Sequence, residues 1–196
     1  MDPVTRISGL MVPLWRADID TDQIMPKQHL KKVERTGFGE VVFDDWRDDP
    51  DFVLNDERYA QGNVLVTGPN FGSGSSREHA PWGLQQYGFD AIIAPSFADI
   101  FKTNCAKNGL LTVELAQDEV EALVSLATDD PSAQVRIDLP EQSVESAAGV
   151  FHFDIDQHTK HMLVHGLDPI ALTLQHREAI TAYEAHRPAR MPVTNA

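Results

Sequence analysis

Asn63-Val64-Leu65-Val66-Thr67, followed by Phe71-Gly72-Ser73-Gly74-Ser75-Ser76-Arg77-Glu78-His79-Ala80, reads as a short buried strand running through a glycine-rich turn into a helix. The first run is β-rich and too short for a helix, whereas Ser76 to Tyr87 carries helix formers with apolar Trp82, Leu84 and Tyr87. A strand-to-helix turn presents backbone N–H groups and the positive end of a helix dipole. Arg77 adds a permanently charged fork suited to a planar carboxylate. Ser75 and Ser76 bring two hydroxyls to the same place. The pattern is either a site for a carboxylate or phosphate, or a Gly-Ser helix start that binds nothing. Nucleotide loops do not fit, because no Lys follows the glycines and Arg77 stands where a dinucleotide fingerprint wants Gly. Neither serine has Gly at both second neighbours, so a hydrolase elbow is excluded as well.

Working outward, Ala91 to Ala94 is a second strand, Phe97 to Asn108 a helix and Leu111 to Leu115 a third strand, with Gly109 at the expected helix C-cap. This βαβαβ centre predicts an α/β layer with parallel pairing, and ligands of such layers bind beyond the carboxyl ends of the strands. Downstream, a helix is predicted over Asp118 to Ala127. Short antiparallel strands follow at Gln134 to Leu139, Ser143 to Ala147 and Gly149 to Phe153, and a closing helix or helix pair at Ile170 to Tyr183. Upstream, Arg6 to Val12 alternates as an opening strand. Asp18-Ile19-Asp20-Thr21-Asp22-Gln23 is then a dense polar loop, either a second functional element or a helix cap with a turn. Residues 27–55 look irregular, with five aspartates around Trp46 and Pro50. A segment of this length is a binding loop or disordered, and its aromatics can pack against something.

With 196 residues, 42% apolar and 23% charged, the chain is expected to form one domain over 1–196. Its net charge of −14 opposes binding to nucleic acid or an anionic membrane surface. No apolar run approaches ~20 residues, and a cytoplasmic protein is expected. Cys105 is the only cysteine, so neither an internal disulfide nor a cluster held by several thiolates can form within this chain. His158, His161 and His165 have helical spacing that would allow a metal site. They lack the Glu beside the first His of a metalloprotease helix, and the expectation is a solvated face with no metal.

Gly74-Ser75-Ser76-Arg77-Glu78-His79, together with Ser96-Phe97-Ala98-Asp99-Ile100-Phe101, Asn104 and Gly109-Leu110-Leu111, resembles the swivelling domain of the aconitase superfamily. Asp20-Thr21-Asp22-Gln23-Ile24, Pro26-Lys27, Arg35-Thr36-Gly37-Phe38, Asp45-Trp46-Arg47, Gly166-Leu167-Asp168 and Leu172-Thr173-Leu174-Gln175 extend the likeness over nearly the whole chain. Within that superfamily they are similar to the free-standing small subunits of 3-isopropylmalate dehydratase. The resemblance implies a three-layer β/β/α swivelling domain of aconitase type. It also implies a hydro-lyase of leucine biosynthesis that interconverts 2-isopropylmalate and 3-isopropylmalate through isopropylmaleate, active only with a large subunit that holds a [4Fe-4S] cluster.

By the same resemblance, Ser75 is the catalytic base, and Ser76, Arg77 and Gly74 bind a carboxylate of a small dicarboxylate substrate. The loop after the Asp-Thr-Asp-Gln segment is implied to choose the substrate, with His29, Leu30, Val33, Arg35 and Thr36 as candidates. The 27–55 loop is expected to be mobile without the partner. Aconitase carries a substrate-binding Arg shortly before its Asp-rich loop, and Arg16 has a similar position, although the residues after it diverge. Homoaconitase and methylmalate dehydratase small subunits share the chemistry and differ in the loop. A noncatalytic carboxylate-binding or assembly subunit is the rival from another class.

Overall fold

Alternation along the central strands sorts their side chains onto two faces, and a helical layer covers each. The structure is a computed structural model that describes residues 1–31, 34–188 and 190. Its elements run β1 (Arg6–Leu14), α1 (Thr21–Ile24), β2 (Gly62–Thr67), α2 (His79–Tyr87), β3 (Ala91–Ala94), α3 (Asp99–Asn108), β4 (Leu111–Glu114) and α4 (Gln117–Asp129). They continue with β5 (Gln134–Asp138), β6 (Ser143–Ser146), β7 (Gly149–His152), α5 (Gln157–His165), α6 (Pro169–Leu174) and α7 (Arg177–Ala185). Seven strands form one sheet in the order β4-β3-β2-β1-β5-β6-β7. β1 to β4 pair in parallel, β5 runs antiparallel to β1, and β5 to β7 form an antiparallel meander. β1 therefore joins the two halves. The predicted βαβαβ centre and antiparallel tail are both present.

Across the sheet from β1 to β4, right-handed crossovers place α2 and α3 on the same face. Leu65, Ile92 and Ala94 cluster there with Leu84, Phe101 and Cys105. On the opposite face Val64, Val66, Ala91 and Ile93 cluster with Val120 and Leu123 of α4, which then leads into β5. Each side of β3 is thus fully dry, which explains why its four residues are all apolar.

Two helix starts differ from expectation. The helix predicted from Ser76 begins at His79, after an irregular stretch that ends at its N-cap Glu78, and the one predicted from Phe97 begins at Asp99, because Phe97 pairs with Phe71 and Ala98 stays extended. The irregular 27–55 segment folds as 3-10 turns at Lys27–Lys31, Gly39–Val41, Asp44–Trp46 and Val53–Asn55. Its second half packs into the core. Phe38, Val42, Phe43, Phe52 and Leu54 are buried, and Trp46 stacks on Phe43 with centroids 5.2 Å apart. Arg47 fastens this half by donating to the carbonyls of Val42 (3.2 Å) and Leu54 (2.7 Å) while lying over the Tyr87 ring.

Candidate functional site

Three chain segments leave the carboxyl ends of β1, β2 and β3 and lie side by side. Phe71 donates its N–H to the Ser96 carbonyl (3.1 Å), and its own carbonyl accepts from Ala98 (3.0 Å). On the other side Gly72 donates to Ile19 (2.7 Å), Thr21 donates to Ser73 (2.9 Å), and Asp20 and Ser73 form a parallel bridge. The glycine turn is thus the middle strip of three. Gly72 sits at φ +76°, where a Cβ would lie 2.2 Å from Phe101 Cγ, so backbone and packing both demand glycine. Gly74, at φ +92°, has its nearest neighbours at 3.5 Å and requires glycine for its backbone alone.

Beyond Gly74 the strip turns outward and exposes Ser75 and Ser76. α2 does not use them as caps: its N-cap is Glu78, which makes no side-chain cap bond. Among the described residues neither serine hydroxyl has a partner, so neither serine starts α2 as its cap. Ser75's backbone, by contrast, is fully engaged. Its N–H donates to Thr21 Oγ1 at 3.1 Å, and its carbonyl accepts from Thr21 Oγ1 (3.1 Å) and the Arg77 N–H (2.9 Å). That N–H is therefore not offered to an anion, contrary to the expectation for a strand-to-helix turn. Arg77 is half-buried and forms an ion pair with Asp22.

The polar loop before α1 is a helix cap. Asp20 accepts from Gln23 N–H (2.8 Å) while the Gln23 side chain accepts from Asp20 N–H (2.8 Å), closing a capping box. The helix so started braces the glycine turn through Thr21 and Asp22. In the sequence, the density of short polar side chains marks this loop but assigns neither residue a contact.

The remaining candidates lie apart. His29 Nε2 meets Asp44 Oδ2 at 2.8 Å, and Leu30 packs partly buried against the core. Arg35 lies over the Trp82 ring (5.1 Å), its carbonyl accepting from Gln86 Nε2 (2.8 Å), while Gln86 Oε1 accepts from Phe38 N–H (2.8 Å). Gln86 thereby pins residues 35–38 to α2, the helix that starts just after Arg77. Thr36 is exposed, and Val33 lies outside the described residues. Arg16 stacks on Trp46 at 4.6 Å. His79 stands between Phe38 and Trp82; burial holds its imidazole below the ordinary value, and the Arg77 charge adds to that.

Thiolate ligation of an iron-sulfur cluster does not fit this chain. Cys105 is fully buried, which pushes its thiol well up, and no group of three or more metal-capable side chains occurs among the described residues. On α5, His165 Nδ1 meets the His161 carbonyl at 2.9 Å, a local contact along one helix face. A groove of about 810 Å³ runs between α3, β4, α5 and α6, and none of the glycine-turn residues lines it. The turn itself is an open face rather than an enclosed pocket.

The aconitase C-terminal domain family matches residues 1–118, and the family of C-terminal domains of 3-isopropylmalate dehydratase small subunits matches residues 170–195. The 3-isopropylmalate dehydratase small subunit of Rubrobacter xylanophilus is 50% identical over 192 residues, covering 98% of each chain. That of Acidothermus cellulolyticus is 51% identical over 196 residues, covering 100% of each. The chain belongs to the 3-isopropylmalate dehydratase small-subunit family. A crystal structure of 3-isopropylmalate dehydratase from Methanocaldococcus jannaschii matches with a TM-score of 0.67 at 24% identity, over 91% of this chain and 99% of that one. That likeness carries the fold: this small-subunit family member has the aconitase-type swivelling domain.

Proposed function

We propose that this chain supplies the proton-transfer and carboxylate-binding face of a two-subunit 3-isopropylmalate dehydratase. The reaction interconverts 2-isopropylmalate and 3-isopropylmalate through isopropylmaleate, in leucine biosynthesis, and family membership over the full length supports it. The observation that carries the residue assignment is the pair of exposed, unpartnered hydroxyls on Ser75 and Ser76, next to a half-buried Arg77. In this reading Ser75 Oγ takes the carbon-bound proton adjacent to a carboxylate, and Arg77, Ser76 and the Gly74 backbone hold that carboxylate. Negative charge grows on the carboxylate as the C–H bond breaks. A forked guanidinium therefore stabilises the transition state more than the ground state. Serine is a weak base at its free pKa, and the nearby Arg77 charge favours its deprotonated form.

We assign the [4Fe-4S] cluster to the large subunit, since the one buried thiol here cannot hold it. The open turn fits that division, because an exposed half-site needs a second surface to exclude water. A net charge of −14 disfavours nucleic acid and anionic membranes as partners, and no helix among the described residues is long and apolar enough to cross a membrane. We place the enzyme in the cytoplasm.

Substrate choice is assigned to residues 29–38, with Leu30 or Val33 as the apolar candidate for an isopropyl group and His29, Arg35 and Thr36 as further candidates. Exchanging this loop for that of a homoaconitase should move preference toward that enzyme's own substrate; unchanged preference would place selectivity elsewhere. Arg77→Lys should cost about 2 kcal/mol of transition-state stabilisation, roughly 30-fold in kcat/KM, because an ammonium cannot make the two-pronged contact. Steady-state kinetics of the complex would measure this, and wild-type values would remove Arg77 from the mechanism. The reading as a whole is tested by anaerobic reconstitution with a cluster-loaded large subunit, following isopropylmaleate hydration. Activity is expected only in the mixture. A complex that ignores isopropylmaleate but hydrates another unsaturated diacid would keep the chemistry and overturn the substrate.

A further inference from the structure

The first turn of α1 is a short stretch of chain that touches two of the residues proposed to act on substrate. Asp20 performs all of the capping, with Gln23 returning the bond to Asp20's own backbone. The Thr21 hydroxyl, which in many helix starts would serve a local N–H, is consequently free of local duty. It is also buried, with only 2% of the residue exposed. A buried hydroxyl is costly unless bonded, and this one spends both of its capacities on a single residue 54 positions away. It accepts from the Ser75 N–H and donates to the Ser75 carbonyl, each at 3.1 Å.

Holding the N–H and C=O of one residue from a common atom restricts rotation about both of its backbone torsions, and so fixes the direction of its Cα–Cβ bond. The other bond on the Ser75 backbone is local, from the Arg77 N–H to its carbonyl at 2.9 Å. Gly74 before it carries no side chain, and Ser76 after it is exposed. The adjacent α1 residue, Asp22, holds the guanidinium of Arg77. One helical turn therefore spaces a serine hydroxyl and a guanidinium relative to each other.

We propose that Thr21 is a positioning residue of the enzyme, whose buried hydroxyl sets the orientation of Ser75 toward the substrate proton. This rests on the reading of Ser75 as the proton acceptor. A base displaced by a fraction of an ångström to about 1 Å loses up to about 100-fold in rate. Thr21 touches no substrate in this scheme, so its removal lowers kcat and leaves KM nearly unchanged.

The test compares Thr21→Val, Thr21→Ser, Ser75→Ala and the Val/Ala double variant, each reconstituted with saturating cluster-loaded large subunit. Thr21→Val keeps the shape and removes both bonds. It should lower kcat about 10- to 100-fold with KM within about threefold, while Thr21→Ser, which keeps the hydroxyl, recovers most of the rate. In the Ser75→Ala background, Thr21→Val should cost nothing further, since its effect runs through the missing hydroxyl. Should the Val variant misfold, Thr21→Ala carries the same cycle. The proposal is overturned by wild-type kcat in Thr21→Val, by an equal loss in the Ser75→Ala background, or by a loss that only tracks the fraction of complex formed. Full turnover in Ser75→Ala itself would instead sink the serine assignment, an outcome the single variant separates from failure of the positioning role.

Discussion

Ser75→Ala in the reconstituted enzyme should lower kcat by about 100- to 10,000-fold, the range that a positioned general base contributes. The substitution removes one exposed oxygen with no hydrogen-bond partner among the described residues. The Thr21 clamp acts on the Ser75 backbone and survives the change. Folding and association with the large subunit should therefore stay intact, which makes the rate loss interpretable. Both are checked by thermal unfolding and by titration of the large subunit. Turnover near wild type would show that proton transfer belongs to another group, and the chain would then be a carboxylate-binding or assembly subunit.

Gly72→Ala should destabilise the protein by about 2–5 kcal/mol. The left-handed backbone conformation costs a residue with a Cβ about 1–2 kcal/mol, and overpacking a full core adds about 1–3 kcal/mol. The added methyl would meet the Phe101 ring at 2.2 Å. That ring cannot swing freely, because it packs edge-on to Phe71 at 5.3 Å and is 3% exposed. For a chain of this size the midpoint of thermal unfolding should fall by roughly 4–20 °C. Gly74→Ala is the internal comparison: its φ is also positive but its surroundings are open, so only the backbone cost of about 1–2 kcal/mol applies. Equal losses at the two positions would show that the Phe101 contact relaxes.

The central strands were legible in the sequence because their runs are short, β-rich and bounded by turn residues; Ala91–Ala94 matches to the residue. The closing helical stretch was legible as a helix or helix pair over Ile170 to Tyr183, but not its division into α6 and α7 or the start of α6 at Pro169. The late start of α3 was not legible either, since what holds Phe97 extended is a bridge to the distant Phe71. The 27–55 segment has no single period, and its order comes from aromatic packing and from Arg47 bonding carbonyls on either side of it. At the site, Ser75, Ser76, Gly74 and Arg77 stand out by residue type and spacing. Thr21 and Asp22 fall in a polar loop that the sequence also marks, but their contacts with Ser75 and Arg77 were not legible, because a side chain reaching across 54 or 55 residues leaves no periodic trace.

The connection from β1 to β2 separates residues that the fold needs from residues it does not. From Phe38 to Leu54 it is nailed to the sheet by buried aromatics, whereas between Pro26 and Gly37 the described ties include Leu30 leaning on that core and surface contacts of His29 with Asp44 and of Arg35 with Trp82 and Gln86. Such a layout behaves as an interchangeable cassette: drift between two fixed seams alters the surface offered to a ligand while the scaffold underneath keeps its stability. Lineages with related diacid chemistries can diverge there in small viable steps, and a laboratory graft should be cut at the same two seams, Pro26 and Phe38.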